Sequence, residues 1–229
     1  FSGDGELSYR MIAAVGFSAC GARLAVVTGD NKHTIFIFEW RTKRCVFQGV
    51  GQNGTPPQVF GVVWNPFLRE GKAAVKMFVT RGVKHLKFWS LAVARNGTEV
   101  YSPTIAKFAP KASVADVLSA EFIDADTLLT GTEMGEILTW DVTGKRSGKP
   151  GTCIAVLKAH GPGKSFVDRE GKRRYHGVRC LKLRFNGTEL LSGGADGTLI
   201  RWDCSGGRLG RRSRRRGTGA RCAGSVPPG

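Results

Sequence analysis

The sequence predicts an all-β protein of about four repeated, four-stranded antiparallel sheets followed by a disordered basic tail. Three observations predict it. Short apolar runs alternate with turn residues through positions 11–203, as strands and hairpins do. The pattern closes on Trp40, Trp89, Trp140 and Trp202, at intervals of 49, 51 and 62 residues, the mark of stacked copies of one unit. No 3.6-residue hydrophobic period persists over a useful length, so helices should be scarce.

The units are expected at about 11–49, 59–109, 117–158 and 178–203 within a domain spanning 1–205. In the first, MIAAVGFSACGARLAVVTGDNKHTIFIFEW gives run, turn, run, turn, run. Lys43–Gln48 supplies a fourth strand. The second reads Val59–Trp64, Lys76–Thr80 and Leu86–Trp89, with Thr104–Phe108 as its fourth strand. The third reads Val117–Phe122, Thr127–Thr130 and Glu136–Trp140, then Thr152–Lys158. The fourth is the plainest. Val178–Phe185 ends at Asn186-Gly187, a hairpin pair suited to positive φ. Glu189–Ser192 then ends in Gly193-Gly194-Ala195-Asp196-Gly197, and Thr198–Trp202 is closed by Asp203. Each strand is too short to stand alone, so the sheets must cover one another.

The fourth unit resembles the WD repeat, the blade of β-propellers, through Ala159-His160 at its start and Trp202-Asp203 at its end. The resemblance implies a side-chain network of His160, Ser192, Asp196 and Trp202. The indole N–H and the carboxylate, once buried, both need hydrogen-bond partners. The other copies are uneven. Trp140-Asp141 closes the third, but Met134 stands at the turn position of the Asp. The first and second lack the Asp after Trp. Taken together, HTIFIFEW, RGVKHLKFWSL, TGTEMGEILTW and LKAHG followed by LLSGGADG resemble successive blades of the echinoderm microtubule-associated protein-like family over about residues 8–203. The long insertion after His160 and the tail depart from it. The family's coiled coil and the short hydrophobic motif before its propeller are not in this sequence. The resemblance implies a partial WD40-type β-propeller that binds tubulin, microtubules or other cytoskeletal proteins, in the cytoplasm and on the cytoskeleton.

The formal charge is +17. Seven arginines of the tail, residues 206–229, account for part of it, and 17 − 7 leaves +10 on the body. That balance favours acidic partners. The tail holds almost nothing apolar and cannot order itself by burial; a basic arm for nucleic acid is the alternative use for it. The insertion 161–177 carries Lys164, Lys172, Arg173 and Arg174, the candidate contacts to an acidic partner. Its HGPGKS segment lacks the first glycine of a phosphate-binding loop, since Lys158 stands there, and no helix can follow.

Six scattered cysteines without a C-x-x-C pair read as reduced thiols of an intracellular protein, not as zinc ligands. His33, His85, His160 and His176 form no nucleophile–base pattern, and Asp124, Asp126, Glu133 and Glu136 sit in or beside turns. No catalytic residue, cofactor or metal is therefore expected, and no apolar run reaches the ~18–20 residues of a membrane span. Three Asn-Gly-Thr triplets, at Asn53, Asn96 and Asn186, read as turn chemistry. The chain begins at Phe1 and reads as a piece of a longer protein. Oligomeric state is left open, but an arc of four blades is expected to leave two uncovered sheet faces and to be poorly soluble or self-associate. Two further readings stand beside microtubule binding: a general scaffold propeller without tubulin contact, and nucleic-acid binding through the tail.

Overall fold

The computed structural model describes residues 11–53, 59–68, 76–110, 112, 114–161, 165–167, 169–171, 173–184, 187–204 and 209–211. These residues contain strands and turns and no helix; none is therefore long and apolar enough to cross a membrane. Blade 1 is β1 (Ile12–Phe17), β2 (Leu24–Thr28), β3 (Thr34–Glu39) and β4 (Arg44–Val50). Blade 2 is β5 (Val59–Trp64), β6 (Met77–Gly82), β7 (His85–Val93) and β8 (Glu99–Ile105). Blade 3 is β9 (Val117–Phe122), β10 (Thr127–Thr132), β11 (Glu136–Asp141) and β12 (Thr152–Lys158). A two-stranded hairpin, β13 (Ser165–Val167) and β14 (Arg173–Tyr175), precedes blade 4, which is β15 (Val178–Leu183), β16 (Glu189–Gly194), β17 (Leu199–Asp203) and β18 (Gly210–Arg211). Within every blade the strands pair antiparallel in chain order.

The blades stack face to face. One buried cluster lies between blades 1 and 2, around Val27, Ile35, Ile37, Trp64, Phe78 and Trp89. A second lies between blades 2 and 3, around Val79, Phe88, Phe122, Leu138 and Trp140. A third lies between blades 3 and 4, around Leu129, Ile137, Val178, Leu190 and Trp202. Among the described residues no such cluster joins blade 4 back to blade 1. The described residues form an arc of four propeller blades.

The first strand of each blade lies against the first strand of the next, as β1 on β5 and β9 on β15. At Gly16 a Cβ would stand 3.1 Å from the Val62 carbonyl oxygen, so glycine permits this approach. Trp64 Nε1 donates to Gly16 O at 2.8 Å across the same seam. Ser119 Oγ donates to Val178 O at 3.0 Å between blades 3 and 4. All four blades also carry a bulge between first and second strands, at Ile12/Ala14, Val59/Gly61, Gly131/Thr132 and Val178/Cys180. A bulge bends and twists a sheet, and its repetition gives the four sheets one shape.

Register makes one sequence expectation fail. Trp89 pairs with Phe78, Trp140 with Leu128 and Trp202 with Leu190. The matching pair in blade 1 is Phe38 with Leu24. Trp40 is therefore not equivalent to the other three; Phe38 is, and the intervals become 51, 51 and 62 residues. The run Phe36-Ile37-Phe38-Glu39-Trp40 offers three aromatics two residues apart, all with the same face preference. Only the cross-strand pairing selects among them. Trp40 lies beyond β3, 39% exposed, and its indole N–H donates to Gly21 O at 2.6 Å.

The fourth strand of blade 2 also moves. It is Glu99–Ile105 instead of Thr104–Phe108, because β7 runs on to Val93 and turns at Ala94–Thr98. There Gly97 takes φ +80° and Thr98 N–H donates to Asn96 Oδ1 at 3.0 Å. The Asn96-Gly97 pair is thus the turn of a hairpin. Phe108 still reaches the core, edge-on to Trp140 at 5.0 Å between ring centroids. Finally, β18 lies inside the segment 206–229; the rest of that segment beyond Arg211 is outside the described residues.

Candidate functional site

The polar centre of the arc lies where β16 and β17 meet the segment leaving blade 3. Ser192 faces blade 3 from the middle of a short strand and is buried. Trp202 Nε1 donates to Ser192 Oγ at 2.7 Å, and Ser192 Oγ lies 2.8 Å from His160 Nε2. His160 Nδ1 lies 3.1 Å from Asp196 Oδ1 and 3.0 Å from Thr198 Oγ1. One proton arrangement satisfies the chain: indole N–H to hydroxyl, hydroxyl to Nε2, and Nδ1–H to carboxylate. Asp196 also accepts from Thr198 N–H at 3.0 Å and from Thr198 Oγ1 at 2.8 Å. Burial pushes its carboxyl up, but the bonds from Thr198 and then His160 outweigh burial and hold it at about 2. The four residues picked from the sequence are thus brought together. Every polar atom in the set is occupied, so the arrangement positions a turn and presents no free nucleophile or base.

Blade 2 builds part of this network from one hairpin, which sequence reasoning did not anticipate. Trp89 Nε1 donates to Thr80 Oγ1 at 3.0 Å, and Thr80 Oγ1 lies 2.8 Å from His85 Nε2. His85 opens β7, four residues before the tryptophan, and is buried. Burial, then the nearby charges of Lys87 and His33, push its imidazole down to about 3. The signal that could have found it is the His-x-x-x-Trp spacing, which sets both side chains on one face of a strand. In blade 3, Trp140 Nε1 donates to Thr130 Oγ1 at 2.8 Å. Blade 1 keeps the turn carboxylate alone. Asp30 accepts from Thr28 Oγ1 at 2.6 Å, Thr34 N–H at 2.8 Å and Thr34 Oγ1 at 2.8 Å. Burial raises the Asp30 carboxyl, but these bonds outweigh it and lower it below the usual carboxylate range. Blade 1 has Val26 and Phe38 at the hydroxyl and indole positions.

The hairpin β13–β14 projects from this same end of the arc. Its base is pinned between His160 and Gly177. A Cβ on Gly135, at φ +78°, would collide with the carbonyls of His160 and His176, so the turn of blade 3 seats directly beneath it. Phe166 packs on His176 at 5.3 Å between ring centroids. Phe166 and Val167 remain exposed, as do Arg169, Glu170 and Arg174. Of the predicted contact residues, Arg174 is exposed on β14, and Arg173 is placed in β14 by its backbone. Lys164 and Lys172, with Pro162 and Gly163 of the HGPGKS segment, lie outside the described residues.

Of the remaining candidates, Asp126 and Glu133 are held in structural pairs, while both ring nitrogens of His33, Nδ1 of His176 and Oε2 of Glu136 are buried without a hydrogen-bond partner. Asp126 binds Lys145 at 2.7 Å, which, outweighing burial, lowers its carboxyl. Glu133 Oε1 accepts from Asp116 N–H at 3.3 Å. Arg23, buried, bridges Glu39 at 3.3 Å and Glu99 at 2.8 Å and so ties blade 1 to blade 2. Among the described residues five cysteines are unpaired, and no group of three His, Cys, Asp or Glu could hold a metal ion.

Comparison with known proteins returns propellers and cytoskeletal relatives. No family model matches. The chain is 30% identical over 185 residues to echinoderm microtubule-associated protein-like elp-1 of Caenorhabditis elegans, covering 80% of this chain and 17% of that protein. It is 29% identical over 205 residues to human echinoderm microtubule-associated protein-like 3, covering 84% and 20%. It is 25% identical over 194 residues to mouse cilia- and flagella-associated protein 44, covering 85% and 9%. The chain thus spans a fifth or less of these relatives. Among solved structures it is similar to the Myceliophteria thermophila Cps50 (Swd1) β-propeller domain, with TM-score 0.54 and 15% identity, covering 84% of this chain and 52% of that one. It is also similar to U3-55K, with TM-score 0.58 and 11% identity, covering 88% and 53%. In fold and sequence, the chain is a four-blade WD-type β-propeller arc related to the echinoderm microtubule-associated protein-like and the cilia- and flagella-associated WD-repeat proteins.

Proposed function

We propose that the arc is a non-catalytic interaction module that docks on the acidic surface of tubulin in microtubules, through the end carrying the β13–β14 hairpin. The observation that carries this reading is the hairpin. The base is pinned by the turn of blade 3, and β13 above it holds exposed Phe166 and Val167, with exposed Arg169 and Arg174 nearby. The body charge of +10 supplies long-range attraction to an acidic lattice, and the relatives bearing microtubule-associated names support the choice of partner. A cytoskeletal location follows from that binding. The network of His160, Ser192, Asp196 and Trp202 acts as the mount: it fixes the start and end of the insertion relative to blade 4.

The direct test is cosedimentation of the 229-residue chain with polymerised microtubules across a salt series. Binding at low salt that weakens as salt rises is expected. Replacing Lys164, Lys172, Arg173 and Arg174 by Glu should reduce the affinity about tenfold or more, since exposed ion pairs contribute about 0.2–1 kcal/mol each. Binding unchanged by that reversal would make the arc a scaffold whose tubulin contact, if any, lies elsewhere. Absence of binding at the lowest salt would end the tubulin reading.

A further inference from the structure

At each internal seam one side chain bonds a carbonyl of the neighbouring innermost strand. Trp64 and Ser119 do so with a single donor each. Between blades 2 and 3 the part falls to Arg81, whose Nη1 donates to Leu118 O at 2.6 Å. A guanidinium has five N–H donors, four more than the seam uses. Arg81 Nε is buried without a partner, and among the described residues no carboxylate pairs with the side chain. Burial therefore acts on it unopposed and pushes its guanidinium down. The acids at this end of blade 3 are bound elsewhere. Asp116 Oδ1 accepts from Lys84 N–H at 3.2 Å, and Glu133 Oε1 from Asp116 N–H at 3.3 Å. Room is kept for the charge. A Cβ on Gly61 would stand 2.9 Å from Arg81 Cζ and Nη2 and 3.0 Å from Nε, so the guanidinium lies flat over a residue that has no side chain. Charges this far out of water are ordinarily paired.

We propose that Arg81 receives a carboxylate from an acidic segment of a partner protein lying across the hairpin end of the arc. The guanidinium fork matches the two oxygens of a carboxylate. Its surroundings suit a small, singly charged group. Phe60 and Leu118, both half-buried, are the unpaired bulge residues of β5 and β9 beside it. A phosphate brings more charge and more oxygens than one guanidinium satisfies. The place is continuous with the hairpin: a Cβ on Gly177, at the hairpin's foot, would stand 2.7 Å from Leu118 Cδ1. A protein docked on that end therefore brings its acidic side chains to the seam, and the positive body draws them there. The seam lies between two sheets of this chain, blades 2 and 3. The inference does not rest on the tubulin reading, since any partner with an acidic segment meets the same group.

The test is a nuclear magnetic resonance titration of the 229-residue chain with hexaglutamate and, as control, hexaglutamine, at about 150 mM salt to screen exposed charges. The Arg81 Nε–H signal is identified by its loss in Arg81→Lys. It should shift and saturate with hexaglutamate and stay in place with hexaglutamine or inorganic phosphate. Arg81→Lys keeps the charge and loses the flat fork. It should raise the hexaglutamate concentration at half-saturation, read on the Leu118 backbone amide, about tenfold. Gly61→Ala should do the same with the sheet intact, because its added carbon meets only the end of a flexible side chain and displaces the guanidinium. A residue that only staples blade 2 to blade 3 would lower the melting temperature in these variants and leave half-saturation unchanged, which overturns the proposal. An Arg81 signal that stays put while exposed arginines shift overturns it, as does an equal response to phosphate.

Discussion

Blades 3 and 4 solve the same structural problem with different means. In blade 3 both central strands, β10 and β11, are buried at every position. Its polar set is short: Trp140 donates to Thr130, and Met134 occupies the turn position that a carboxylate holds in blade 4. Blade 4 is covered on one face only among the described residues, and its third strand is mostly exposed or half-buried. It carries the complete set from His160 to Trp202. Where sheets cover both faces, burial at about 25 cal/mol per Å² holds the blade. Where one face is open, hydrogen bonds of about 1 kcal/mol each fix the turns that burial does not. Blade 2 lies between them, sandwiched on both sides yet keeping the buried Thr80, His85 and Trp89.

The largest expected effect lies in blade 3. Trp140→Ala should cost about 3–5 kcal/mol in a denaturant titration, since it empties a site wholly inside the core. A cost no larger than that of polar substitutions in blade 4 would break the contrast between the two blades. Ser192→Ala should cost about 1–3 kcal/mol, because it strands both the Trp202 indole N–H and His160 Nε2. The matching Thr130→Ala in blade 3 strands the indole alone, so its cost should be smaller. Equal costs would mean that His160 adds nothing to blade 4.

The pH dependence separates blades 2 and 4 more finely. His85 has its folded value lowered to about 3 from 6.5, so the unfolded chain takes the proton first. Stability should fall as pH drops below 6.5, by about 1–2 kcal/mol by pH 5 at 1.36 kcal/mol per unit. His85→Gln should remove that slope. Asp196 has its folded value lowered to about 2 from 3.8. Its contribution is present above the unfolded value and is lost as pH falls through the folded one. Asp196→Asn should therefore flatten the melting-temperature profile only below about pH 4. A slope between pH 6.5 and 5 that survives His85→Gln would assign that window to another group.

The four blades of this chain and most strand positions were legible in the sequence because they are local, and the His160 network through the resemblance to the WD repeat. Turn residues mark hairpins by their own backbone preferences. The choice of Phe38 over Trp40 was not legible. Both side chains point to the same side of β3, and only pairing with Leu24 distinguishes them. The part of His85 in blade 2 was hidden for a related reason: the expected histidine precedes the first strand, whereas this one reaches the same hydroxyl from within the blade. The true end of β7 was masked by Asn96-Gly97, which reads equally well as loop or hairpin.

By itself the sequence determined that this chain is a run of four short antiparallel sheets, because alternation, turns and spacing act within about fifty residues. Tertiary structure alone decided which face of each sheet is covered, which aromatic closes blade 1, and that blades 1 and 4 share no interface among the described residues. Those outcomes depend on register and on contact between sheets far apart in the chain, and a one-residue slip in pairing turns every side chain to the other face.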